Sequence, residues 1–169
     1  MTLMAILSTG IANIFDLSSG TVLVIGYGNP GRMDDGLGPA LSARLDACGF
    51  EGVFIETDYQ LVVEHAHEIA RHDYVIFADA AIIGPAPFSF VEISTPETQP
   101  PFNSHSLSPE AVLFYAATMF GAKTKGYILG IRGYTYDGFD ESLSEGAKEN
   151  LDAAFQFIVK LLRRERRIA

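Results

Sequence analysis

Short apolar runs alternate along this chain with segments whose apolar residues recur at helical spacing. The strand-like runs are residues 21–26, 52–57, 74–78 and 127–131, and the first is short and apolar, as expected of a buried strand. Phe88–Ile93 alternates in polarity, which is typical of an edge or antiparallel strand. Such alternation predicts an α/β fold with a twisted, mostly parallel sheet, one antiparallel edge strand and helices on both faces.

The predicted helices begin and end at recognisable residues. One helix starts near Leu37 and ends before Gly49, and another starts at Ser108, followed by Pro109 and an acid. Ser142 and Glu145 have the spacing of a capping box for a long final helix. The length of 169 residues favours one domain. We therefore expect a single α/β domain over residues 21–169, preceded by an N-terminal extension or short helix at 1–20.

Composition excludes several classes of function. A net charge of −9 would repel a phosphate backbone, so we do not expect a nucleic-acid partner. No apolar stretch reaches the length needed to cross a bilayer, and no signal peptide is recognisable. The single cysteine, Cys48, excludes an intrachain disulfide and fits a reducing compartment. We expect a cytoplasmic protein with no membrane partner, and a monomer.

Chemistry is expected where the first strand ends, because ligands of open α/β sheets bind beyond the carboxyl ends of the strands. Gly26, Gly28 and Gly31 match a dinucleotide-binding pattern there. One alternative is therefore a nucleotide-binding oxidoreductase or binding module. Asp34 and Asp35 weigh against it, since two carboxylates at the start of the following helix would compete with a pyrophosphate for its amides.

Three residues are candidates for a metal site at this edge. One aspartate of the Asp34–Asp35 pair can cap the helix while the other projects outward, and Asp79 follows the third apolar strand. His105 lies in a polar loop before the helix that starts at Ser108. Capping aspartates and a solvated histidine would explain each residue singly. Together, two carboxylates and an imidazole suit nickel or zinc.

Residues 64–72 (EHAHEIARH) imitate a metalloprotease helix but do not match its spacing. His67 and Glu68 would need a histidine at position 71, where Arg71 stands. His65 and His72 share a face but are two turns apart, too far to bind one metal. We expect these histidines on an exposed helix face.

Residues 26–38, with Gly28-Asn29 followed by Asp34-Asp35-Gly36 and Gly38, resemble the signature of the nickel–iron hydrogenase maturation endopeptidases. Asp79 and His105 fall in the order of that family's other two functional residues. The resemblance implies an endopeptidase that removes the C-terminal extension of a hydrogenase large-subunit precursor after nickel insertion.

The same resemblance implies roles for individual residues. Asp35, Asp79 and His105 would bind the metal, Asp35 and Asp79 would also be catalytic, and Gly28, Asn29, Asp34 and Gly36 would form the supporting loop. The nickel belongs to the substrate, with zinc or cadmium as possible substitutes, so no cofactor of the enzyme's own is implied. Many members carry Asp-Gly-Gly after the second strand, where this chain has Asp58-Tyr59-Gln60, and a role for Asp58 is therefore in doubt. An inert nickel-sensing chaperone is a further alternative.

Overall fold

Five strands and four helices follow one another in the computed structural model, which describes residues 20–101 and 106–163. The strands are β1 (Val22–Tyr27), β2 (Val53–Asp58), β3 (Tyr74–Ala81), β4 (Phe88–Ile93) and β5 (Lys125–Arg132). The helices are α1 (Leu37–Asp46), α2 (His65–Ile69), α3 (Pro109–Phe120) and α4 (Glu145–Arg163), with a 3-10 turn at Met33–Gly36. All but Gly20 of the predicted N-terminal extension lies outside the described residues.

The strands form one sheet in the order β2-β1-β3-β5-β4. The β1–β2, β1–β3 and β3–β5 pairs are parallel, and β4 pairs antiparallel with β5 at the edge. The predicted α/β fold, mostly parallel with one antiparallel edge strand, is confirmed. The chain moves from β1 to one side for β2 and to the other side for β3, so the topological switch point lies between β1 and β3.

Alternate residues of β1 enter two separate cores on the two faces of the sheet. Val22 and Val24 pack in the core cluster that contains Leu41 of α1 and Ile158 of α4. Leu23 and Ile25 belong to the opposite cluster, which contains Ile69 of α2 and Val112 of α3. All of these side chains are fully buried, and each contributes about 1.5–3 kcal/mol by leaving water. Helices therefore cover both faces, as predicted.

Two element ends differ from the predictions. β3 continues through Ala81, because Asp79 pairs with Gly130 and Ala81 with Arg132 of the neighbouring β5. The predicted capping box at Ser142 is wrong: the hydroxyl of Ser144, not Ser142, accepts the amide of Ala147 at the start of α4. The amide of Ser142 instead donates to the side chain of Asp140.

The histidines around α2 also differ from expectation. His67 is exposed, as predicted, but His65 and His72 are only 7% and 8% exposed. The Nδ1 atom of His65 accepts the amide of Val62 at 3.0 Å, which closes the turn before α2. His72 lies against the ring of Phe54, with 4.7 Å between ring centroids. Within residues 20–101 and 106–163, no helix has the length and apolar character to cross a membrane.

Candidate functional site

The predicted site lies at the switch point, where β1 ends beside the last residues of β3. Gly26 pairs with Ala78 in parallel register, and the next residues along the two strands are Tyr27 and Asp79. Residues in register on parallel strands point to the same face, so these two side chains are neighbours. The carboxyl ends of β1 and β3 thus carry a phenol next to a carboxylate.

Two glycines allow α1 to begin directly over these strand ends. A Cβ on Gly38 would overlap the carbonyl oxygens of Tyr27 and Ala78, and a Cβ on Gly26 would overlap Ser42 and the Gly38 carbonyl. Because glycine has no side chain, these two positions let α1 approach the backbone of β1 and β3 closely. The glycines therefore place the turn that carries Asp34 and Asp35 beside Asp79.

Asp35 is fixed by the loop that follows β1. Its Oδ2 atom accepts the amide of Asn29 at 2.9 Å, and no other hydrogen bond to this carboxylate comes from the described residues. Gly28 has φ +138°, and a Cβ there would overlap the Asp35 carbonyl oxygen. Neither the 3-10 turn nor α1 has a side-chain cap, so the expected capping role is not taken by Asp35 or by Asp34.

Asp34 is completely buried and ties this turn to a distant part of the chain. Its carboxylate accepts the amides of Tyr134, Thr135 and Ser144 at 2.7, 2.9 and 2.8 Å and the Ser144 hydroxyl at 2.7 Å. Burial by itself would raise the pKa of Asp34, but the hydrogen bonds outweigh it and lower the pKa. Asp34 is therefore an ionised anchor for the loop that leads into α4.

Asp79 has the opposite electrostatic character. Burial, assisted by the negative charge of Asp35, raises its pKa to about 6, against the lowering effect of hydrogen bonds from the Ala80 amide and the Tyr27 hydroxyl. The Ala80 amide lies 2.7 Å from Oδ1. A carboxylate with a pKa near 6 is mostly ionised at neutral pH and still holds protons well enough to act as an acid or base. The 3-10 turn that carries Asp35 packs against β3, the strand that carries Asp79.

Three further side chains lie at this site that sequence reasoning missed. Burial and the charges of Asp79 and Glu110 raise the pKa of Tyr27. Burial and the nearby acids Asp34, Asp79 and Asp35 raise the pKa of Tyr136 to about 12. The hydroxyl of Tyr136 is buried without a hydrogen-bond partner among the described residues. The position of Tyr27 at a strand end was a usable signal, whereas Glu110 and Tyr136 reach the site only through the tertiary fold.

The described residues contribute two of the three predicted metal ligands. His105 lies outside the described residues. Within the described ranges, no three His, Cys, Asp or Glu side chains lie close enough to hold a metal ion. The chain resumes at Ser106, and the amide of Leu107 donates to the carbonyl of Leu61 at 3.0 Å.

Asp58, whose role the sequence left in doubt, ends β2 and is occupied locally. Its Oδ1 atom accepts the amide of Tyr59 at 2.6 Å, and its Oδ2 atom lies 3.6 Å from Nε2 of His65. These contacts connect the end of β2 to the start of α2. The described contacts of Asp58 are therefore structural.

The glycine pattern of the dinucleotide alternative has a structural explanation in this chain. In dinucleotide-binding folds, the second glycine leaves room for the pyrophosphate over the backbone. Over Gly28, that room is filled by the carbonyl of Asp35, and over Gly26 it is filled by α1. Intramolecular packing therefore accounts for both glycines.

Comparison with known proteins finds similarity at the level of structure. No protein-family model and no curated protein matches the chain. The solved NiFe hydrogenase maturation protease HycI from Thermococcus kodakarensis KOD1 aligns with a TM-score of 0.70 and 21% identity, over 92% of this chain and 100% of that chain.

Two further solved structures also align with this chain. The hydrogenase maturating endopeptidase HybD from E. coli has a TM-score of 0.65 and 20% identity, over 85% of this chain and 92% of its own. The hydrogenase 2 maturation peptidase from Thaumarchaeota archaeon SCGC_AB-539-E09 has a TM-score of 0.62 and 21% identity, over 84% and 97%. The chain therefore has the fold of the hydrogenase maturation proteases, the family that its first loop resembles.

Proposed function

We propose that this protein is a hydrogenase maturation endopeptidase that removes the C-terminal extension of a nickel–iron hydrogenase large-subunit precursor. The fold supports this proposal, since the structures compared above are named as enzymes of that kind. One observation carries it to the residues: the 3-10 turn that holds Asp35 packs against β3, the strand that holds Asp79, so the two carboxylates lie at the switch point. Two carboxylates at the ligand-binding edge of the sheet are the groups that the reaction needs.

In this proposal, the nickel of the substrate is bound by Asp35, Asp79 and His105. The Asn29 amide occupies one oxygen of Asp35, which leaves the other oxygen for a metal ion. Glu110, five residues after His105 in the sequence, is near enough to the site to raise the pKa of Tyr27. This proximity supports His105 as the third ligand. Nickel, with zinc or cadmium as substitutes, suits this mixture of oxygen and imidazole ligands. The enzyme has no cofactor of its own in this proposal.

Peptide hydrolysis at this site needs a base and then an acid. We assign both roles to Asp79, whose pKa of about 6 lies near the working range. Asp79 takes a proton from water as the water oxygen bonds to the scissile carbonyl carbon and the carbonyl electrons move to its oxygen. When the carbon–nitrogen bond breaks, the proton passes from Asp79 to the departing nitrogen. The products are the shortened subunit with a new carboxylate and the released peptide with a new amine.

The deciding experiment uses the full chain and two preparations of one precursor. Nickel-loaded precursor should lose its C-terminal peptide, and nickel-free precursor should keep it, as measured by intact-mass spectrometry. If the loaded precursor keeps its full length, the chain is no endopeptidase for that substrate, and metal binding alone would then favour a nickel-sensing chaperone.

The third ligand is tested with a histidine pair. His105→Ala should abolish Ni²⁺ or Cd²⁺ binding while leaving the circular dichroism spectrum unchanged. His67→Ala is the matched control, because His67 is exposed on α2 and is expected to keep wild-type affinity. Unchanged affinity in His105→Ala would remove His105 from the site.

The dinucleotide alternative is tested in the same preparation. Thermal-shift titrations compare NAD(P) with Ni²⁺ and Cd²⁺, and we expect stabilisation by the metals only. Stabilisation by NAD(P) without any metal effect would favour an oxidoreductase or binding module.

The proposal also includes a monomer that works in the cytoplasm. The single unpaired Cys48 is compatible with that reducing compartment.

A further inference from the structure

Tyr27 is the side chain that stands closest in register to Asp79 on the neighbouring strand. The Gly26–Ala78 pair is the last parallel pair of β1 and β3, and Tyr27 and Asp79 follow it. The ring of Tyr27 packs against the core cluster on the α2 and α3 face. Strand register places the carboxylate of Asp79 on the same face as the Tyr27 ring, and interaction with the Tyr27 hydroxyl lowers the pKa of Asp79.

The single proton of this hydroxyl has two acidic neighbours. Asp79 acts on Tyr27 through both its charge and a hydrogen bond, whereas Glu110 acts through charge alone. A phenol has one proton to donate, and strand register makes Asp79 the acceptor that the geometry favours. Burial and these two negative charges raise the pKa of Tyr27, so the donor stays protonated at neutral pH.

The backbone of Asp79 needs no further support, but its carboxylate does. Pairing with Gly130 holds the main chain of Asp79 in β3, while the terminal torsion of an aspartate is broad and settles only when its oxygens are bonded. The Ala80 amide bonds Oδ1. A hydroxyl donor from the neighbouring strand would supply a second restraint, and two restraints define the plane of the carboxylate.

We propose that Tyr27 is a positioning residue, whose hydroxyl holds the Asp79 carboxylate in the orientation that meets the substrate's metal. The inference rests on the proposed function and adds to it a residue outside the predicted ligand set. Groups that hydrogen-bond a metal ligand typically change metal affinity or activity by about 10- to 100-fold when removed. Tyr27 acts through Asp79 and makes no contact with the metal.

The test compares two tyrosine variants of the full chain. Tyr27→Phe removes the hydroxyl proposed to hold Asp79, and Tyr115→Phe is the matched control, because its hydroxyl accepts a surface hydrogen bond from Gln99 at 3.1 Å. Calorimetric titration with Cd²⁺ alone should show an affinity about 10- to 100-fold lower for Tyr27→Phe and a wild-type affinity for Tyr115→Phe. Thermal melts establish that both variants are folded.

A double-mutant cycle separates positioning from general loss of structure. The cycle uses the free energy of unfolding of the metal-free protein: if Tyr27 acts only through Asp79, adding Tyr27→Phe to Asp79→Ala produces no further loss of that free energy. An equal loss in both backgrounds, or a Tyr27→Phe affinity within twofold of wild type, overturns the inference.

The same preparations distinguish this inference from the proposed function. Wild-type protein that cleaves nickel-loaded precursor, together with a Tyr27→Phe variant that binds Cd²⁺ and cleaves as wild type does, refutes the role of Tyr27 alone. Wild-type protein that neither binds Cd²⁺ nor cleaves refutes both.

Discussion

Replacing Asp34 by alanine should destabilise the protein far more than the same change at its neighbour Asp35. The Asp34 carboxylate is the acceptor for three amides and one hydroxyl at 2.7–2.9 Å, and its removal leaves these donors without their acceptor. Removing one partner of a buried charged network costs about 3–5 kcal/mol.

The matched control is Asp35→Ala, which removes a single hydrogen bond from the Asn29 amide and should cost about 1–2 kcal/mol. Urea unfolding followed by circular dichroism at pH 7 gives both free energies of unfolding. Equal losses for the two variants, or a loss below about 1 kcal/mol for Asp34→Ala, would refute the assignment of Asp34 as the anchor.

A second check is how the difference in free energy of unfolding between wild type and Asp34→Ala depends on pH. The hydrogen bonds lower the pKa of Asp34 below its ordinary value of 3.8. A lowered pKa means that Asp34 contributes its stability fully above the unfolded value and loses it as the pH falls through the folded value. The stability gap between wild type and Asp34→Ala should therefore be constant from neutral pH down to about pH 5 and shrink in stronger acid.

Three further changes have expected outcomes in unfolding measurements. At pH 8, Asp79→Asn should stabilise the metal-free protein by up to about 3 kcal/mol, because the pKa of Asp79 is raised to about 6 and the ionised carboxylate is destabilising. Near pH 3.5, below the pKa of Asp79 in the unfolded chain, the substitution should leave stability unchanged. Equal effects at both pH values would contradict this prediction. Tyr136→Phe should keep or raise the unfolding midpoint, because the lost hydroxyl has no partner among the described residues, and a drop of several degrees would reveal a bond that this geometry lacks. Gly38→Ala should lower stability by about 1–3 kcal/mol or more, since its Cβ overlaps the carbonyls of Tyr27 and Ala78, and a wild-type melting temperature would contradict that contact.

Local pattern was sufficient for most of the fold. β1, β2 and the start of α3 follow from apolar runs bounded by turn residues and from the Ser108–Pro109 cap, whose hydroxyl accepts the Ala111 amide at 3.2 Å. Ligand binding at strand ends also places Asp35 and Asp79 at one edge. These features depend on residues near one another in the chain, and so a single sequence carries them.

Features decided by distant contacts could not be predicted in this way. Ser142 and Ser144 both precede α4 and both could cap it; the choice of Ser144 goes with its two hydrogen bonds to Asp34, 110 residues earlier. The last residues of β3 are strand because β5 lies beside them. His72 is buried against the ring of Phe54 in β2, a contact that helical periodicity cannot predict.

The bonds of Asp34 also set an order in which the molecule must be assembled. They connect positions that are 100 to 110 residues apart, so the turn that presents Asp35 is not complete until the chain through Ser144 has been synthesised and has docked. A nascent chain that stops after β5 has every predicted site residue but lacks every donor to the Asp34 carboxylate. In such a protein, the turn that carries Asp35 is completed by contacts of long sequence separation, which are slow to close.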